Sequence, residues 1–218
     1  MIDGTALTRR GFLAGCAAAT GTLVIGIASV DDASAVEEAS SDGRRQYGFL
    51  CDMNKCAGCK NCVDACRDAN HLSERTADRR RVEVYMNSRS NNVYVSTSCM
   101  HCADPNCLRV CPAGAIKKGD AGIVSVDVDR CIGCKYCFQA CPYGVPRYNE
   151  VAMDKCDCCL GAGVAPGETP HCVQACKFGA LQYGPLDDLR AEAESCGARP
   201  VPVGDAGNPS CLLIGERG

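Results

Sequence analysis

Four runs of cysteine constrain this chain more than anything else in it. They are Cys56, Cys59, Cys62 and Cys66; Cys99, Cys102, Cys107 and Cys111; Cys131, Cys134, Cys137 and Cys141; and Cys156, Cys159, Cys172 and Cys176. Three thiolates set two residues apart can wrap three corners of an iron-sulfur cube. The fourth, followed by Pro at Cys111-Pro112 and Cys141-Pro142, begins a helix and reaches a neighbouring cluster. The last group keeps the final three-residue gap but holds the loop LGAGVAPGETPH between its second and third members. Zinc sites use pairs of cysteines and close at four ligands, which gives no reason for a tight triplet. A disulfide framework has no need of the repeated spacing, and the 21 cysteines are an odd number.

Composition agrees with an interior built around something other than bulky side chains. Of 218 residues only 5% are aromatic and none is Trp. The formal net charge of -3, with acids and bases mixed along the chain, leaves no broad cationic face for nucleic acid. At the amino terminus TRRGFL precedes an uncharged run from Gly11 to Val30, and Ala33-Ser34-Ala35 supplies small residues for cleavage. This resembles a twin-arginine signal, cut after Ala35 or retained as an anchor. That route carries folded proteins, so clusters can be inserted in a reducing compartment before export. Residues 1–35 are thus read as the signal, with Cys16 inside it, and 36–46 as a linker.

The coarse secondary structure is α+β: short helices, small hairpins and long loops. Ala115 to Lys117 and Ile123 to Val128 read as a hairpin, and residues 179–184 as a short strand after a cysteine-bearing turn. Bacterial ferredoxins with two clusters have this pattern. Pairing the first cysteine group with the fourth, around an inserted second and third, makes two ferredoxin-like units of two 4Fe-4S clusters each. Unit 1 then occupies 47–91 and 156–192, unit 2 occupies 92–155, and 193–218 is an irregular tail.

The order of the groups, CIGCKYCFQACPYGVPRYN, the KCD at 155–157 and the ending CKFGALQYGPLDDLR resemble the electron-transfer subunits of dimethyl sulfoxide reductase and other molybdopterin oxidoreductases. The resemblance covers residues 47 to about 192 and implies four 4Fe-4S clusters with crossed ligation. Cys56, Cys59 and Cys62 would share a cluster with Cys176, and Cys156, Cys159 and Cys172 one with Cys66. Cys99, Cys102 and Cys107 would go with Cys141, and Cys131, Cys134 and Cys137 with Cys111. Position 158 is Cys where such subunits usually have Gly. Spacing alone leaves Cys158 and Cys159 open, and the two-residue gap favours Cys159. Lys177 stands where Pro is frequent and Cys66 is followed by Arg67; cations there would raise the potentials of nearby clusters. Cysteine at all four positions of the third group sets the chain apart from the nitrate-reductase type. No hydrophobic stretch follows Arg190, unlike the formate-dehydrogenase type.

Outside these groups, Cys51 reads as buried core, and Cys196 and Cys211 as tail thiols able to pair after export. His101 and His171 read as packing or hydrogen-bonding residues. The runs Arg44-Arg45 and Arg79-Arg80-Arg81 read as solvated faces. With no nucleophile or paired carboxylates, the chain is expected to be a non-catalytic subunit. It would relay single electrons between a membrane quinol-oxidising subunit, or a cytochrome, and a molybdopterin-containing catalytic subunit on the periplasmic face. The alternative is a carrier to a periplasmic multihaem cytochrome of the nitrite-reduction type.

Overall fold

In the computed structural model of the chain the described residues are 45–149, 151–196, 200–201 and 203–215. The signal reading of 1–35 and most of the linker lie outside them. The elements in chain order are strand β1 (Tyr47–Asp52), helix α1 (Asn61–Ala69), the strands β2 (Arg81–Met86) and β3 (Asn92–Thr97), and helix α2 (Asn106–Arg109). Strands β4 (Ile116–Lys118) and β5 (Val124–Val126), helix α3 (Tyr136–Ala140), and strands β6 (Arg147–Tyr148) and β7 (Met153–Asp154) follow. Helix α4 (His171–Gln174), strand β8 (Leu181–Pro185), helix α5 (Leu186–Ser195), and strands β9 (Pro200–Val201) and β10 (Cys211–Ile214) complete the chain. The result mixes short helices with small sheets, as the sequence suggested.

Phe49, Leu50 and Cys51 are buried one after another, the pattern of a strand covered on both faces. β1 is accordingly central in its sheet, whose order is β8-β1-β10-β9. It pairs antiparallel with β8, setting Phe49 opposite Tyr183, and parallel with β10, setting Asp52 opposite Ile214. On one face α5 lays Leu189 and Ala193 against Leu50 and Ile214. On the other, Phe49 and Cys51 join a core that includes Cys62, Cys66, Cys158 and Cys172. Cysteine takes the place that aromatic residues hold in ordinary interiors.

Two of the sequence boundaries need correction. The segment 193–218, expected to be irregular, contributes β9 and β10, and Cys211, read as a tail thiol able to pair after export, is a free cysteine buried in the sheet. The run Cys-Leu-Leu-Ile is only four residues long and is flanked by Pro and Gly, so its strand character depends on the edge that β1 offers it. The division at 91/92 falls in the turn between β2 and β3, which pair from Arg81 opposite Thr97 to Met86 opposite Asn92. Polar residues resembling a linker close this turn. Asn87 Oδ1 accepts the Arg89 and Asn91 backbone N–H groups at 3.0 and 2.8 Å. The hairpin read after the second cysteine group is present as β4 and β5, with Ile116 opposite Val126. The strand read at 179–184 is β8.

Candidate metal centres

Each cysteine group is carried by a loop that turns into a helix, and the loops repeat one another in backbone angle. Gly58 and Gly133 have φ 68° and 65°, and Lys60 and Lys135 follow at 61° and 65° before α1 and α3. The left-handed residues curl the chain so that successive thiols face inward instead of alternating. Helices α2 and α4 instead follow Pro105 and Pro170, both in extended conformation. Gly114, Gly144 and Gly179, each three residues after a group's last cysteine, have φ between 55° and 59°. Two backbone N–H groups meet the last sulfurs in the same way: Ala115 donates to Cys111 Sγ and Leu181 to Cys176 Sγ, both at 3.3 Å. Packing pairs α1 with α4 and α2 with α3.

These loops bring cysteines of different groups together. Cys56, Cys59, Cys62 and Cys176, with Cys51, line one small cavity of about 20 Å³ beneath Phe178 and Leu181. Cys131, Cys134, Cys137 and Cys111 line another of about 20 Å³, closed by Ile116, Tyr148 and Met153. The other two gatherings are dense enough for each sulfur to feel its neighbours' charge. Burial pushes Cys102 up to about 11 and Cys107 up to about 12, and Cys99 and Cys141 both add to each. Burial also pushes Cys66 well up, with Cys156, Cys172 and Cys159 adding to it. Crowded thiols in a dry interior resist becoming thiolates unless a cation joins them. That donor set, sulfur alone and lacking only positive charge, fits iron-sulfur cubes, which Cys thiolates hold in fours.

Cys159 and Cys158 separate cleanly. The Asn70 side-chain amide lies 3.8 Å from both Cys66 Sγ and Cys159 Sγ, so those two sulfurs share one gathering. Cys158 Sγ lies 3.3 Å from His101 Nε2 and within 4.8 Å of Cys156 Sγ. Cys158 and Cys159, with φ of 55° and 64°, are both left-handed, a conformation natural to Gly and strained for Cys. His101 is buried, and its Nδ1 accepts the Val124 backbone N–H at 3.0 Å. The neutral ring therefore carries its proton on Nε2 and donates to Cys158. His101, Cys156 and Cys158 place their donor atoms within 4.8 Å of one another. His171 is half-buried at the start of α4.

The arginine run departs from its expected solvated face. Arg79 binds Asp154 at 2.7 Å and Asp157 at 3.3 Å, tying the start of the fourth cysteine loop to the segment before β2. Arg80 is only 1% exposed. It stacks 4.6 Å over Phe49 and donates to Ser96 Oγ at 3.1 Å and Ser98 Oγ at 2.9 Å. The available signal was that consecutive residues of an extended chain face opposite ways, so three arginines cannot share one side. Arg67 is occupied elsewhere: its guanidinium holds Asp78 and the Thr76 and Ser73 carbonyls. Lys177 is exposed. Spacing also gave no hint of Ser96 and Tyr148, whose hydroxyls approach Cys62 Sγ at 3.3 Å and Cys137 Sγ at 3.0 Å. Of the other thiols, Cys51 is fully buried and Cys196 half-buried, and both are unpaired.

Sulfur gatherings of this kind define a class, the proteins that house 4Fe-4S clusters in paired ferredoxin-type motifs. The 4Fe-4S dicluster domain family matches residues 90–186. The B subunit of anaerobic dimethyl sulfoxide reductase from Escherichia coli (strain K12) is 42% identical over 181 residues, covering 77% of this chain and 88% of that protein. The hydrogenase-2 operon protein HybA of Escherichia coli O157:H7 is 36% identical over 219 residues, covering 86% of this chain and 66% of its own. The thiosulfate reductase electron transfer subunit PhsB of Salmonella typhi is 39% identical over 150 residues, covering 66% of this chain and 78% of its own. The chain belongs to the family of iron-sulfur electron-transfer subunits that includes the B subunit of anaerobic dimethyl sulfoxide reductase.

Proposed function

We propose that this protein relays single electrons through four 4Fe-4S clusters to the molybdopterin-containing catalytic subunit of an anaerobic respiratory reductase. A membrane quinol-oxidising subunit would supply the electrons. The observation that carries the reading is the gathering of sulfurs from different groups: Cys176 with Cys56, Cys59 and Cys62, and Cys111 with Cys131, Cys134 and Cys137. Cys141 with Cys99, Cys102 and Cys107, and Cys66 with Cys156, Cys159 and Cys172, complete the four ligand sets. The exchange of a last cysteine between members of a pair supports two ferredoxin-like units, as does the pairing of α1 with α4 and α2 with α3.

Burial adds a direction to the design. Cys59 and Cys134, one in each cavity-lined set, are exposed, whereas Cys66, Cys99, Cys156, Cys159 and Cys172 are buried. Exposed Phe178 stands by the first and exposed Ile132 by the second, giving each end of the relay an apolar surface for a partner. The inner residues exclude water and hold the ligands rigid between those ends. The clusters supply one-electron chemistry, and the chain contributes distance, orientation and charge. Among the described residues no helix is long and apolar enough to cross a membrane.

The test is the complex purified without oxygen. Molybdenum in the preparation, iron signals that are reduced by a quinol analogue, and their reoxidation by the catalytic subunit's acceptor are the expected results. A preparation whose iron is reduced by quinol but whose partner carries multihaem and no molybdenum would replace the proposed acceptor.

A further inference from the structure

Arg80 is a buried cation that, among the described residues, forms no ion pair with a carboxylate. Its hydrogen bonds go to two serine hydroxyls, its plane lies on Phe49, and its Nε has no partner among the described residues. An uncompensated charge in a dry interior costs several kcal/mol, and such groups persist where an opposite charge stands beside them. Phe49, on which Arg80 lies, packs in one core with Cys62, Cys66 and Cys172, whose sulfurs become negative when they hold iron. Cys66 and Cys172 belong to one ligand set and Cys62 to the adjacent one. Ser96 connects them physically, accepting from Arg80 and lying 3.3 Å from Cys62 Sγ.

We infer that Arg80 is the counter-ion of the two clusters of the first ferredoxin-like unit and sets their reduction potentials. The inference rests on the four-cluster reading given above. A cluster gains one negative charge on reduction, so a fixed positive charge beside it favours the reduced state and raises its potential. The guanidinium suits the place because it stays protonated in a buried site and stacks on an aromatic face, which a lysine ammonium does less well. Its unpartnered Nε–H is a further donor available to a sulfur. The exposed Lys177 and the Asp78-paired Arg67 cannot exert a field of this strength through water and an opposing carboxylate. Arg80 is therefore a positioning and tuning residue, and it forms no bond to iron.

The experiment compares wild type, Arg80→Met and Arg80→Lys in the intact complex by iron content and by potentiometric titration followed by electron paramagnetic resonance. In Arg80→Met, iron content should match wild type. At a fixed ambient potential the reduced fraction of one first-unit cluster should fall at least tenfold in ratio, which is 59 mV for one electron. The two clusters of the inserted unit should not move. Arg80→Lys should recover most of the shift, because it keeps the charge. Full iron with every midpoint in Arg80→Met unchanged would overturn the inference. So would an Arg80→Met protein that loses iron while Arg80→Lys loses it equally, since shape and not charge would then be what the site needs. Wild-type protein lacking one of its four clusters would instead overturn the reading on which the inference rests, and its iron count reveals that independently.

Discussion

Gly58 and Gly133 occupy equivalent places in CAGC and CIGC, with φ of 68° and 65°, and they differ in one respect. A Cβ at Gly58 would sit 2.4 Å from Tyr94 Cδ1, whereas at Gly133 nothing lies within 4 Å. Gly133→Ala should therefore cost only the left-handed backbone, about 1 kcal/mol. Gly58→Ala adds overpacking against a half-buried ring on β3, about 1–3 kcal/mol more. The loop that must yield carries Cys56 and Cys59, so the strain opens the route by which iron leaves. With each 1.4 kcal/mol worth a factor of ten, Gly58→Ala should bleach roughly fivefold to a hundredfold faster than Gly133→Ala in the presence of a chelator. The assay is the loss of visible absorbance under anaerobic conditions. Adding Tyr94→Ala to Gly58→Ala should bring its rate down to that expected from backbone strain alone. Equal bleaching by the two alanine variants, or no relief from Tyr94→Ala, would refute this account of the first loop.

Cys158→Gly should keep all iron and be neutral to slightly stabilising, since it relieves a left-handed backbone, whereas Cys159→Ala should lose one cluster; iron analysis of both distinguishes the two sulfurs. Ile214→Ala, at a side chain only 2% exposed between Leu50 and Leu189, should destabilise the fold by about 2–5 kcal/mol in chemical denaturation. A surface role for the tail would leave the midpoint unchanged. Arg79→Ala leaves Asp154 and Asp157 without their cation and should cost about 1–3 kcal/mol. Its iron should be lost first from the set containing Cys156, which spectroscopy of partially bleached protein can check.

The cysteine groups were legible because their spacing is local: a thiol every third residue has few other uses, and the loops that carry them need only Gly or an αL residue at fixed offsets. The crossing of Cys176 to Cys56, Cys59 and Cys62 was not local, and it came from resemblance until the shared cavity placed those sulfurs together. Arg80 was misread for a physical reason. A buried arginine is improbable in an ordinary core and becomes acceptable only where the interior itself is anionic; the alternation of an extended chain said that one of residues 79–81 faces inward, but not what it meets there. β10 was missed because a four-residue strand draws its stability from its partner β1, some 160 residues earlier. Cys158 carried a usable signal, an L-residue in a place suited to Gly, but its contact with His101 depends on bringing together segments 57 residues apart.

Iron and acid-labile sulfide per chain, determined together with the cluster signals of reduced protein purified without oxygen, test the central claim most directly. Four cubes require about sixteen of each per chain and four separable 4Fe-4S signals. A chain that holds iron for only two cubes, or whose sixteen group thiols are found in disulfides after anaerobic handling, would contradict it.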